Sequence, residues 1–190
     1  MKKIKILLLI IVVLGSCKSV NQNVRSELNE CLDYNIQSQS PIFGSYFKSY
    51  DEVYDFFRNV ENKLKENKLL QSNDKESYKE LFENFFKDSS IENDIKIALG
   101  EKLTSDNETI NLGIQRFILF TCPEHILSQN DNSSDYLKDL SIRQNFLKKI
   151  FYDENPDKNE LINGMINNIS NDQFQDIIFR IPLIYILLNH

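Results

Sequence analysis

The chain has 190 residues and a formal charge of −6, with 41% hydrophobic and 26% charged residues, enough for one domain with a real core. Its acidity excludes the phosphate-neutralising surface that nucleic-acid binding needs, and also a polybasic membrane-surface domain. Five glycines leave little material for phosphate-cradling loops, and no GxSxG, GxGxxG, Walker or HExxH pattern occurs.

The first residues read MKKIK, continue as an apolar run to Leu14 and stop at Gly15-Ser16-Cys17. From Ile6 to Leu14 the run is about half the length that crosses a bilayer core. A basic start, a short apolar centre and small residues at the end are the parts of a secretory signal peptide. Leu14-Gly15-Ser16-Cys17 resembles the lipobox of bacterial lipoproteins. That resemblance implies cleavage after Ser16, with residues 1–16 as the signal peptide, and attachment of diacyl lipid (palmitate-type chains) to the Cys17 thiol. It also implies a lipid-anchored protein of the bacterial cell envelope facing the periplasm or the cell exterior, because two acyl chains anchor where one is marginal. Removing residues 1–16 takes three lysines from the 22 basic residues, leaves all 28 acids and gives a formal charge of −9. Such a charge steers a basic protein partner towards the chain at low salt.

Residues 17–48 read as a lipid-anchored tether with a short helix, Val24, Leu28, Cys31 and Leu32 falling at helical spacing, and a loop containing Pro41 and Gly44. Cys31 and Cys122 remain after lipidation. An exported compartment permits a disulfide between them, and two buried thiols are the alternative; sequence leaves both open.

Residues 49–190 read as an all-helical domain. Ser49 with Glu52 forms a capping-box pattern ahead of Tyr50, Val53, Phe57, Val60 and Leu64 on one face. A second helix from about Asn73 carries Tyr78, Leu81, Phe82, Phe85 and Phe86. Ser89 with Glu92 is expected to cap a third, and Ser105 with Glu108 a fourth whose IQRFILF stretch reads equally as a buried strand. Cys122-Pro123 is expected to end that segment, and SQNDNSSD (128–135) to form a loop. A fifth helix uses Tyr136, Leu137, Leu140, Leu147 and Ile150. Asn155-Pro156 is a start signal for a sixth, and Ser170 with Gln173 for the last, which Pro182 should kink. Caps at Ser89 and Ser105, and at Asn155 and Asn171, are sixteen residues apart. The pattern predicts an all-α single domain of about six to seven amphipathic helices, either an irregular bundle or a short stack of helical hairpins resembling HEAT arrays.

Candidate sites are few. Cys122-Pro-Glu-His125 has the spacing of two soft metal ligands, but no second pair completes a zinc site. Asp131 to Asp135, and Asp153 to Asp157, lack the glycine and the terminal glutamate of a calcium loop. No catalytic residue, cofactor or metal is expected. Aromatic density between Phe43 and Phe57 is higher than one helix face can bury, and Tyr46, Phe47, Tyr50, Tyr54 and Phe56 are the candidate partner surface. These features lead to the expectation of a non-enzymatic, membrane-anchored protein-binding module. They resemble the small acidic lipoproteins that act as immunity proteins, which neutralise a toxin delivered from outside. An envelope hydrolase or modifying enzyme, or a structural accessory subunit of an envelope complex, are the alternatives.

Overall fold

The computed structural model describes residues 23–38, 46–99, 108–131 and 134–189. The expected signal peptide (residues 1–16), Cys17, the Pro41–Gly44 stretch and Ser105 lie outside them. Among the described residues every regular element is helical, so the all-α expectation holds.

Helix α1, residues 23–38, repeats Val24, Leu28, Leu32 and Ile36 every fourth position and buries that stripe completely. Rather than standing apart as part of a tether, it packs into the core of the domain. Helix α2 (Tyr50–Glu66) begins at Ser49, whose hydroxyl accepts from the Glu52 N–H. The return bond of the capping box is displaced by one residue, because Glu52 Oε2 accepts from the Lys48 N–H at 2.8 Å. Helix α3 (Lys75–Lys87) is capped by Asp74 rather than Asn73, and its Tyr78, Leu81, Phe82 and Phe85 are buried.

Helix α4 (Ser89–Leu99) takes its cap from Asp88, whose Oδ1 accepts from the Ser90 N–H at 2.8 Å. Glu92 instead faces outward to Lys96. Helix α5 (Glu108–Gly113) runs straight into a π-helical segment, Ile114–Thr121, and that into α6 (Cys122–Gln129). IQRFILF is therefore not a strand. Nor does Cys122-Pro123 end a helix: Pro123 occupies the first turn of α6, where its missing N–H is tolerated.

Helix α7 (Asp135–Tyr152) buries the expected Tyr136, Leu137, Leu140, Leu147 and Ile150, and with them Asp139, Arg143 and Gln144. Helix α8 (Lys158–Asn168) starts two residues later than the Asn155-Pro156 signal, at Asp157, whose carboxylate accepts from the Glu160 N–H at 3.0 Å. Gly164 lets α8 lie close to α7, since a Cβ there would stand 2.7 Å from the Phe146 ring. Ser170 caps only the single turn α9 (Asn171–Phe174); Asp176 opens a separate helix, α10 (Ile177–Leu188).

Every residue from Ile177 to Leu187 is buried. A helix apolar on all sides belongs in the middle of a domain. Helices α2, α7 and α9 pack against α10, α8 packs between α3 and α7, and α4 rests on α2 and α3. Edge-to-face ring pairs seat the surrounding helices: Tyr78 on Phe174, and Tyr136 on Phe179. In a stacked-hairpin array each repeat meets only its neighbours in sequence. Here the first helices touch the last, so the architecture is an irregular bundle around a central helix.

Candidate functional site

Two buried polar assemblies hold the bundle together. In the first, Glu61 on α2 accepts from Arg180 Nε at 2.6 Å and from the Tyr78 hydroxyl at 2.7 Å. The same guanidinium reaches the carbonyls of Phe174 and Gln175 at 2.7 and 2.6 Å, closing the end of α9. Burial pulls the Arg180 pKa down, and the hydrogen bond and charge of Glu61 more than reverse it. Burial also drives the Tyr78 hydroxyl far above its usual value, so it stays a donor.

In the second, Arg25 on α1 pairs with Asp176 at the start of α10 and lies 4.8 Å from the centre of the Tyr54 ring. Tyr54 donates through its hydroxyl to Asn29 at 2.9 Å. Desolvation raises the hydroxyls of both Tyr54 and Tyr136 well above the ordinary tyrosine range. Arg143 on α7 is fully buried and, among the described residues, in no direct ion pair. Burial lowers its guanidinium from the ordinary arginine range to about 10. It donates to Gln144 at 2.9 Å and to the Ile118 carbonyl at 3.3 Å.

The expected aromatic surface is mostly interior. Tyr54 is 1% exposed and Phe47 6% exposed. The Phe47 ring meets Phe56 edge to face, and the half-buried Tyr50 leans on Tyr54. Asp33 on α1 accepts from the Tyr50 N–H at 2.7 Å. Of the five residues only Tyr46, 47% exposed, faces solvent to a large extent. Tyr54 is removed from the candidate surface because Arg25 and Asn29 of α1 cover it, and Phe47 because it is buried with its ring against Phe56.

Cys31 and Cys122, 91 positions apart, are joined as a disulfide with their Cα atoms 5.7 Å apart. Cys122 is therefore not a free thiol, and it cannot serve with His125 as a metal ligand or nucleophilic pair. Asn35, one turn beyond Cys31, donates to the Cys31 carbonyl at 2.8 Å and reaches both sulfurs, at 3.5 and 3.4 Å.

Above this bond opens a groove of about 580 Å³ between α1 and α6. Glu27, Glu30 and Tyr34 form one wall and Thr121, His125 and Gln129 the other; Cys31, Asn35 and Ile126 also line it. Its size is that of a small-ligand or side-chain pocket. Among the described lining residues there is no Lys or Arg, so the groove carries the sign of its two carboxylates. Of these residues, sequence reasoning weighed only the cysteines and His125. Asn35 lies one turn beyond Cys31 and His125 nearly one turn beyond Cys122, so pairing the cysteines would have brought those neighbours together. Glu27, Glu30 and Tyr34 follow from the same face of α1.

Among the described residues no cluster of three or more His, Cys, Asp or Glu side chains is arranged to hold a metal. No helix among them is long and apolar enough to cross a membrane. Comparison with protein families, curated proteins and solved structures returns no match.

Proposed function

We propose that this chain is an exported lipoprotein, anchored through Cys17 in the bacterial cell envelope, whose helical domain binds a protein partner without catalysing a reaction. The observation that carries the reading is the Cys31–Cys122 disulfide, formed inside a chain that begins with a lipobox-like signal. Disulfides persist in oxidising compartments and are rare in the cytosol. The buried ion pairs are consumed in holding helices together, and each has a structural partner that accounts for it. Among the described residues an acidic, partly apolar groove faces solvent, an arrangement suited to recognition.

In its specific form the domain serves as an immunity protein that occludes a toxin arriving from outside. The size, the acidity and the anchor support that form. Mass spectrometry of the protein from envelope membranes tests the anchor: the mature chain should start at a diacylated Cys17. An intact Met1 with an unmodified thiol refutes export. Affinity capture in mild detergent tests the binding role and should recover one stoichiometric protein. Substrate turnover lost on His125→Ala would favour the enzymatic alternative instead.

A further inference from the structure

We infer that the groove between α1 and α6 is the partner-binding site, and that its occupant is a basic segment of a protein carrying an apolar side chain between two cations. The inference rests on the proposed binding function and supplies its site and chemistry. Glu27, Glu30 and Tyr34 stand at i, i+3 and i+7 on one wall of the groove. Residues three apart on a helix have Cβ atoms about 5–6 Å apart, so Glu27 and Glu30 are neighbours that can be met by cations one helical turn apart or two residues apart in a strand. Glu27 is held by neutral amides, Asn23 at 3.3 Å and Asn130 at 3.4 Å, and Glu30 by the Ser26 hydroxyl at 3.3 Å. Both are oriented, and among the described residues neither is in an ion pair. The nearby Glu124, by contrast, is already matched by Lys148 at 3.1 Å.

The floor supplies the apolar half of the site. Ile126 and Cys31 line the groove together with the charged wall and His125. Tyr34 is 62% exposed at the rim, an amphipathic ring with few side-chain rotors to order on binding. Charge decides among occupants. A second copy of this acidic chain, and the anionic headgroups of a membrane, both meet repulsion from Glu27 and Glu30. A Lys- or Arg-bearing protein segment meets attraction and is steered there.

The test uses the full lipoprotein in neutral-detergent micelles, with fluorescent dodecapeptides of Lys/Leu, Glu/Leu and Lys/Ser composition that each carry a photoreactive group. The Lys/Leu peptide should bind more tightly than the other two, weaken as salt rises, and cross-link to residues 27–35 and 121–129. E27Q/E30Q should reduce its affinity about five- to tenfold, and Y34A by a similar factor. Equal binding of the Glu/Leu peptide, cross-links on another face, or no binding above empty micelles would each overturn the inference. Cys17 acylation and capture of the native partner are read separately, so the proposed function can survive the loss of this site.

Discussion

Arg180 and Glu61, 119 positions apart, share a hydrogen bond of 2.6 Å in the centre of the bundle, and both side chains are almost wholly shielded from water. Because the carboxylate also takes the Tyr78 hydroxyl, one acid ties α2, α3 and α10 together. Removing one partner from a buried pair strands the other charge. R180M should therefore cost about 3–5 kcal/mol, and R180M/E61L far less than the single change, in urea denaturation. Y78F should cost about 1.5–3 kcal/mol, the range for a hydrogen bond to a charged group.

The π-helical segment explains Arg143. Its bonds run from each carbonyl to the N–H five residues on, as Phe117 does with Cys122. Ile118 would next need an N–H from residue 123, which is proline. The Arg143 guanidinium supplies the missing donor at 3.3 Å. P123A offers that carbonyl its own N–H. A double-mutant cycle of P123A with R143M should accordingly show positive coupling of about 1 kcal/mol: R143M is costly with Pro123 present and cheaper without it. Additive effects would refute the assignment.

Alkaline pH sets two titrations against each other. Tyr54, Tyr78 and Tyr136 have folded pKa values raised above their usual 10.0, whereas Arg143 is lowered from the ordinary arginine range to about 10. For the tyrosines the unfolded chain loses its protons first, so stability is whole below pH 10 and is lost as pH rises above it. For Arg143 the unfolded chain binds the proton more tightly above about pH 10, so its contribution rises there. Tyr185 is raised as well and Lys75 lowered, so four tyrosines act against two cations, and melting temperature should fall above pH 10. Tyrosinate absorbance should show the buried hydroxyls ionising only with unfolding.

The disulfide closes a loop of 91 positions. Cross-linking so long a segment removes much of the freedom of the unfolded chain. C31S/C122S should therefore lose about 2–5 kcal/mol, with thermal unfolding of the native protein shifted likewise by reductant. Asn35→Ala should cost less, since only a carbonyl contact and two weak sulfur contacts are lost.

Local pattern was enough for the helix stripes. Tyr78, Leu81 and Phe82, or Leu137, Leu140 and Leu147, face the core because 3.6-residue periodicity admits no other face. Ser49 and Ser170 cap as their sequence context indicates, because capping is decided within four residues. Nothing local marks Tyr54 as interior. Its burial depends on Asn29 and Arg25 of a helix 25 positions upstream. Glu61, Arg143 and Arg180 read as surface charges until a distant partner desolvates them. The groove was invisible for the same reason, because its two walls are brought together only when the chain folds.

The covalent link between α1 and α6 also fixes how mechanical load travels. A pull applied to the N-terminal end of the chain can peel α1 only as far as Cys31 before tension crosses the sulfur bridge to Cys122, between the π-helical segment and α6. From there force spreads into the body of the bundle as shear across many packed side chains. Peeling of α1 past Cys31 is blocked while the bond holds, and a domain moored at that end would meet the load at two helices at once.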